Sequence, residues 1–169
     1  MAAKPPSRRQ YATLLLVGEG ETEEAFLKHV KALYAPRGCG LQVTVRCARG
    51  KGAAHVVDVA IRQCRTVDYD TVAALLDTDT DWNTEVARLA AHHRIHVLRS
   101  QPMFEAMMLR VVRRPSEGTA EELKRRFAPL VNGDGLDSGN YGAHFGDEAL
   151  RAARRMEATL DLHLRLLRQ

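Results

Sequence analysis

Two short apolar runs, each ending in a cluster of acids, constrain this chain more than any other feature. Residues 12–17 lead directly into Gly18-Glu19-Gly20-Glu21-Thr22-Glu23, and residues 71–76 lead directly into Asp77-Thr78-Asp79-Thr80-Asp81. Apolar runs of this length, bounded by glycines and acids, predict strands buried on both faces. A carboxylate placed immediately after such a strand leaves the core at the strand's carboxyl end. Both acidic clusters are therefore expected at carboxyl ends of strands.

The segments between and after them alternate in period. Thr22 opens a helix with Glu23 and Glu24 in its first turn, where the helix dipole favours acids. Phe26, Leu27, Val30 and Leu33 follow at helical spacing, and Pro36 and Gly38 stop the helix. Leu41, Val43, Val45 and Cys47 alternate with polar residues, the period of a half-exposed strand. Arg49-Gly50-Lys51-Gly52 is a turn. Helices are expected over residues 54–65, 82–92, 104–112 and 117–127, a strand over 95–98, loop over 132–146, and one long amphipathic helix over 147–167. Alternating strands and helices predict the α/β class: a mostly parallel sheet flanked by helices, with a long C-terminal helix. In such sheets ligands bind at the carboxyl edge, where both acidic clusters fall.

The chain has 169 residues, enough for one domain. Residues 1–10, with Lys4, Arg8 and Arg9 beside Pro5 and Pro6, are expected to form a flexible basic arm, and residues 11–169 the domain, with helical elaboration from about residue 112. The net charge of +4 is a mild basic excess that suits a nucleic-acid partner without demanding one. Aromatics make up only 5%, which argues against a base-stacking single-strand platform and leaves the core to aliphatic residues. Three cysteines, Cys39, Cys47 and Cys64, have no zinc-clip spacing and fit reduced thiols in the cytoplasm. No apolar run approaches the roughly 18 residues of a membrane span.

Several carboxylates gathered at one place repel unless a cation or proton compensates. All-oxygen donors without His or Cys suit Mg²⁺ or Mn²⁺. Glu19, Asp77 and Asp79 are the expected primary ligands. Glu23, one helical turn beyond Glu19, can face the same way. Asp81 is either a further ligand or the cap of the next helix, with Asn83 the alternative cap. Lys51, in its Gly-rich turn, is either an ordinary solvated turn residue or a group that contacts a phosphate and balances transition-state charge. Arg110, Arg113, Arg114, Arg125 and Arg126 form a basic middle section that can track a phosphate backbone, although a solvated face is the ordinary role of such a group.

These residues carry a family pattern. The segment from Leu14 to Glu23, followed by Leu75-Leu76-Asp77-Thr78-Asp79, resembles the toprim domain of topoisomerases, primases and OLD-family nucleases, which pairs a strand-end Glu with a later Asp-x-Asp to bind Mg²⁺. Ser100-Gln101-Pro102-Met103-Phe104-Glu105 and the apolar residues after it resemble the Ser-x-Pro-x-Phe-Glu segment of RloB-like proteins, small toprim proteins found near restriction and phage-defence genes. The resemblance spans residues 11–111. It implies a toprim-like fold, metal-dependent cleavage of DNA or RNA in antiviral defence, Glu105 as a further metal ligand, and an ATPase or other defence subunit as partner. Self-association stays open. The chain departs from the pattern at Tyr141-Gly142-Ala143, where RloB-like chains carry a Tyr-x-Lys. That departure favours a rival expectation, a non-catalytic nucleic-acid-binding or scaffold subunit. A phosphotransfer or hydrolase enzyme acting on small molecules is the third.

Overall fold

A computed structural model describes residues 11–79 and 81–168. The basic arm expected over residues 1–10 lies outside the described residues. The elements are β1 (Ala12–Gly18), α1 (Glu21–Tyr34), β2 (Leu41–Cys47), α2 (Gly52–Thr66), β3 (Thr71–Asp77), α3 (Thr84–His92), β4 (Ile95–Ser100), α4 (Phe104–Val111), α5 (Ala120–Phe127), α6 (Asp147–Ala153) and α7 (Ala158–Leu166). Short 3₁₀ turns occupy Ala128–Val131 and Ser138–Tyr141, within and beside the segment expected to be loop.

The four strands form one all-parallel sheet in the order β2-β1-β3-β4. The period of two along β1 divides its side chains between two cores. Leu14 and Leu16 join Phe26, Leu27 and Val30 of α1, while Leu15 and Val17 join Val56, Val57, Ala60 and Ile61 of α2. Val86 and Ala90 of α3 pack on the α2 side. The chain thus leaves β1 for β2 over one face and returns past β1 to β3 over the other. That reversal opens a crevice between the carboxyl ends of β1 and β3, the place where doubly wound sheets bind ligands.

The second layer on the α1 side is where the few aromatics go. Phe26, Phe104, Phe127, Tyr141 and Phe145 are all buried, and their rings meet at centroid distances from 5.6 to 6.3 Å. The sheet core is aliphatic as expected, but the cluster joining α1 to the C-terminal helices is aromatic. Tyr141 donates from its hydroxyl to the carbonyls of Thr22 and Gly135, tying this cluster to the first turn of α1.

The long C-terminal helix is not what forms. The chain breaks between α6 and α7, and Met156, which lies at helical spacing between the buried Ala153 and Leu160, is 86% exposed. The break is made by tertiary contacts. Glu157 turns to accept two bonds from the Arg110 guanidinium at 2.5 and 3.1 Å, Arg154 reaches forward to Asp161, and the Thr159 hydroxyl donates to the Arg99 carbonyl on β4. Once turned, α7 still buries Leu160 and Leu164. Helical periodicity survives on each side of the break, which is why the sequence gives no warning of it.

Helix starts differ by a turn or less. Residues 82–92 were expected to be helical; α3 begins at Thr84 because Asn83 caps it, its side chain accepting from the backbone N–H groups of Glu85 and Val86. α5 begins at Ala120 rather than residue 117, behind Thr119 and Glu122, which satisfy each other's backbone N–H groups. No described helix is long and apolar enough to cross a membrane.

Candidate metal centre

Gly18 ends β1 and Glu19 follows it at the edge of the crevice. The Glu19 N–H donates to the Leu75 carbonyl of β3 at 3.0 Å, and the Asp77 N–H donates to the Glu19 Oε2 at 2.9 Å. The two strand ends are therefore stitched together through the acid itself. Close packing at the β1–α1 corner depends on Gly18: a Cβ there would stand 2.9 Å from the Glu24 backbone nitrogen and 3.1 Å from the Glu23 Cβ. Because a backbone atom must move, Gly18→Ala should destabilise the protein by about 1–3 kcal/mol. Urea unfolding would read this as a lower midpoint at unchanged slope, and an unchanged midpoint would contradict the packing.

Glu23 lies on the buried side of the first turn of α1, and its Oε2 accepts from the Gly20 N–H at 3.2 Å. It is thus a helix cap and a neighbour of the crevice at once. Burial, together with Glu105 and Glu19, pushes its carboxyl up to about 7. Asp77 is pushed up to about 8, first by burial and then by Glu23, Glu19, Asp79 and Glu105. Its Oδ1 is buried and has no hydrogen-bond partner among the described residues. Glu19 is also raised, chiefly by burial and further by Asp81 and Asp79, against the lowering effect of the Asp77 N–H. Glu105 reaches the group from the first turn of α4.

Glu19, Glu23, Asp77, Asp79, Asp81 and Glu105 therefore share one electrostatic neighbourhood. Among the described residues, no three His, Cys, Asp or Glu groups already stand as a closed metal cage. Mg²⁺ does not require one, since it keeps several waters and takes one or two carboxylates together with substrate phosphates. The donors fit such an ion on two grounds: all are hard oxygens, and the buried Asp77 oxygen lacks a partner among the described residues. A cleft of about 490 Å³ lined by Gly20, Glu21 and Arg49 opens beside Glu19.

The other expected site residues each have their own surroundings. Asp79 is exposed on the loop after β3. Asp81 caps neither α3 nor its own strand. Its carboxylate accepts from the Ala53 and Ala54 N–H groups at 2.7 and 3.2 Å, filling the N-terminus of α2. Lys51 occupies the cap position of α2, is exposed, and has a left-handed φ of 74°. Two backbone bonds, Ala48 N–H to the Gly18 carbonyl and Gly50 N–H to the Glu19 carbonyl, both 2.8 Å, hold its loop alongside the acidic one. Arg49, in the same loop, lines the cleft, and its place between a strand end and Gly50 is the mark it leaves in the sequence.

Of the basic section, Arg110 is engaged by Glu157 and by the Gln101 carbonyl. Arg126 is engaged by the carbonyls of Pro115 and Glu117. Arg113, Arg114 and Arg125 are exposed. Ala143 is exposed where a Lys was expected, two residues after the buried Tyr141.

No protein-family model matches this chain, and no curated protein matches it.

Proposed function

We propose that this protein is a toprim-like, Mg²⁺- or Mn²⁺-dependent nuclease that hydrolyses phosphodiester bonds of DNA or RNA. What carries the reading is the meeting of Glu19 and Asp77 at the β1–β3 switch point, with a buried Asp77 oxygen that has no partner among the described residues. Glu19 and Asp77 would hold the ion, with Asp79 at the open side and Glu23 and Glu105 behind. When bound, the ion supplies polarisation of the phosphoryl oxygen and acidification of a water. Glu23 and Asp77 hold protons near neutral pH in the metal-free site, so loading the site releases them, and affinity rises with pH. Lys51 and the exposed Arg113, Arg114 and Arg125 would meet phosphates. A role in antiviral defence, beside an ATPase or other defence subunit, is what the RloB-like resemblance implies, and the cytoplasm is what the cysteine spacing suits. The three free cysteines agree with a reducing compartment.

The test is cleavage of single- and double-stranded DNA and RNA in Mg²⁺ by the wild type and Glu19→Ala. Loss of cleavage in a variant that still melts cooperatively is expected. Equal cleavage would refute the assignment. The second reading, a nucleic-acid-binding or scaffold subunit, is favoured by Ala143 in place of Lys. It predicts binding without cleavage by the wild type in either metal.

A further inference from the structure

The Asp81 carboxylate spans 28 residues to reach the first turn of α2. Lys51, the cap residue of that helix, offers it no side-chain acceptor, so the Ala53 and Ala54 N–H groups depend on Asp81. The fit requires Gly52. Its φ is +83°, and a Cβ there would lie 2.5 Å from the Asp81 Oδ2 and 2.7 Å from its Cγ. Asp81 stands two residues beyond Asp79 and four beyond Asp77. Its other end of attachment, α2, belongs to the crossover that packs against β1 and β3. The contact therefore anchors the open end of the loop carrying Asp79 to a rigid helix, while the β3 end is anchored by the Thr78 N–H to the Ser100 carbonyl at 3.3 Å.

We infer that Asp81 is a positioning residue rather than a metal ligand: clasped by α2 against Gly52, it fixes the loop that presents Asp79 to the Glu19–Asp77 site. This rests on the metal reading proposed above. Groups that orient metal-binding residues without touching the ion change affinity by roughly 10–100-fold when lost. Charge and geometry can be separated at this position. Asp81→Asn removes the charge and keeps one oxygen at the same length for the Ala53 N–H, giving up only the longer bond from Ala54. Asp81→Glu keeps the charge but adds a methylene that has no room against Gly52. A ligand needs the charge; a clasp needs the geometry.

The experiment is Mn²⁺ titration of the full chain by electron paramagnetic resonance, with thermal melting in chelator to verify folding. The expected result is that D81N binds Mn²⁺ within about threefold of wild type, while D81E and G52A bind at least about tenfold more weakly. Weak binding by D81N with near-normal binding by D81E would overturn the inference and make Asp81 a ligand. Equal binding by all four proteins would overturn it while leaving the metal site standing. A wild type that binds no Mn²⁺ would overturn both. Any variant that does not fold is excluded by its melt. The D81N and D81E pair alone suffices, because the two roles predict opposite orders for it.

Discussion

Asp77→Asn should abolish metal-dependent cleavage and, in the absence of metal, make the protein more stable. The two effects have one cause. The Asp77 carboxyl sits at the crowded end of β3, where burial and the carboxylates of Glu23, Glu19, Asp79 and Glu105 oppose its ionisation. An amide of the same size removes a repelled charge and offers N–H donors to the acids around it. With the carboxyl pushed from 3.8 up to about 8, the gain at alkaline pH is at most about 6 kcal/mol, at about 1.4 kcal/mol per unit. The same change removes the oxygen best placed for an ion. A metal supplies several kcal/mol of transition-state stabilisation, so its loss costs on the order of 10³-fold in rate. Urea unfolding in chelator and a cleavage assay in Mg²⁺ read the two halves. A variant that is less stable in chelator would contradict the crowding, and one that cuts at the wild-type rate would contradict the site.

Stability of the metal-free protein should fall as pH rises from 6.5 to 8, and excess Mg²⁺ should abolish that fall. Asp77 and Glu23 have ordinary values of 3.8 and 4.5 and folded values of about 8 and about 7. Between those limits the folded state binds more protons than the unfolded, so stability declines with rising pH. Glu19, also raised, acts in the same direction. His163 acts in the opposite sense. It is 2% exposed, its Nε2 is buried without a partner among the described residues, and burial holds it down to about 4. Its stabilising effect is lost as pH falls from 6.5 towards 4. The two influences oppose below 6.5, but above it His163 is neutral in both states and only the carboxylates remain. The decline from 6.5 to 8 is roughly 2 kcal/mol. Bound ion at about 100 times its dissociation constant returns about 2.7 kcal/mol. Denaturant unfolding at the two pH values, with chelator and with Mg²⁺, checks this. A flat profile in chelator would contradict the electrostatics, and a decline that persists in Mg²⁺ would contradict metal binding.

The parallel sheet and the meeting of Glu19 with Asp77 were legible in the sequence for a physical reason. A strand buried on both faces must be apolar throughout, so its end is marked by the first acid, and parallel strands put like ends together. Glu23 was legible as an acid in the first turn of α1, but Glu19 precedes that helix, and it is the chain turn at Gly20, not helical spacing, that brings the two acids near each other. Asp81 was not. Its partners are the backbone N–H groups of Ala53 and Ala54, which carry no side-chain signal, and Asn83 competed for the same capping role nearby. The C-terminal break was hidden because Arg110–Glu157 and Thr159–Arg99 are contacts between distant segments, while the apolar spacing continues through the turn. The spread of the basic section was hidden for the same reason: a sequence does not reveal that Arg110 and Arg126 are already engaged by Glu157 and by the carbonyls of Pro115 and Glu117.

Direct titration with Mn²⁺, followed by electron paramagnetic resonance, bears most closely on the proposed metal site. The wild type should bind the ion in competition with Mg²⁺, and Asp77→Asn should bind it at least about tenfold more weakly. Absence of binding by the wild type, or equal binding by the two proteins, would show that the acids at the ends of β1 and β3 do not form a metal site.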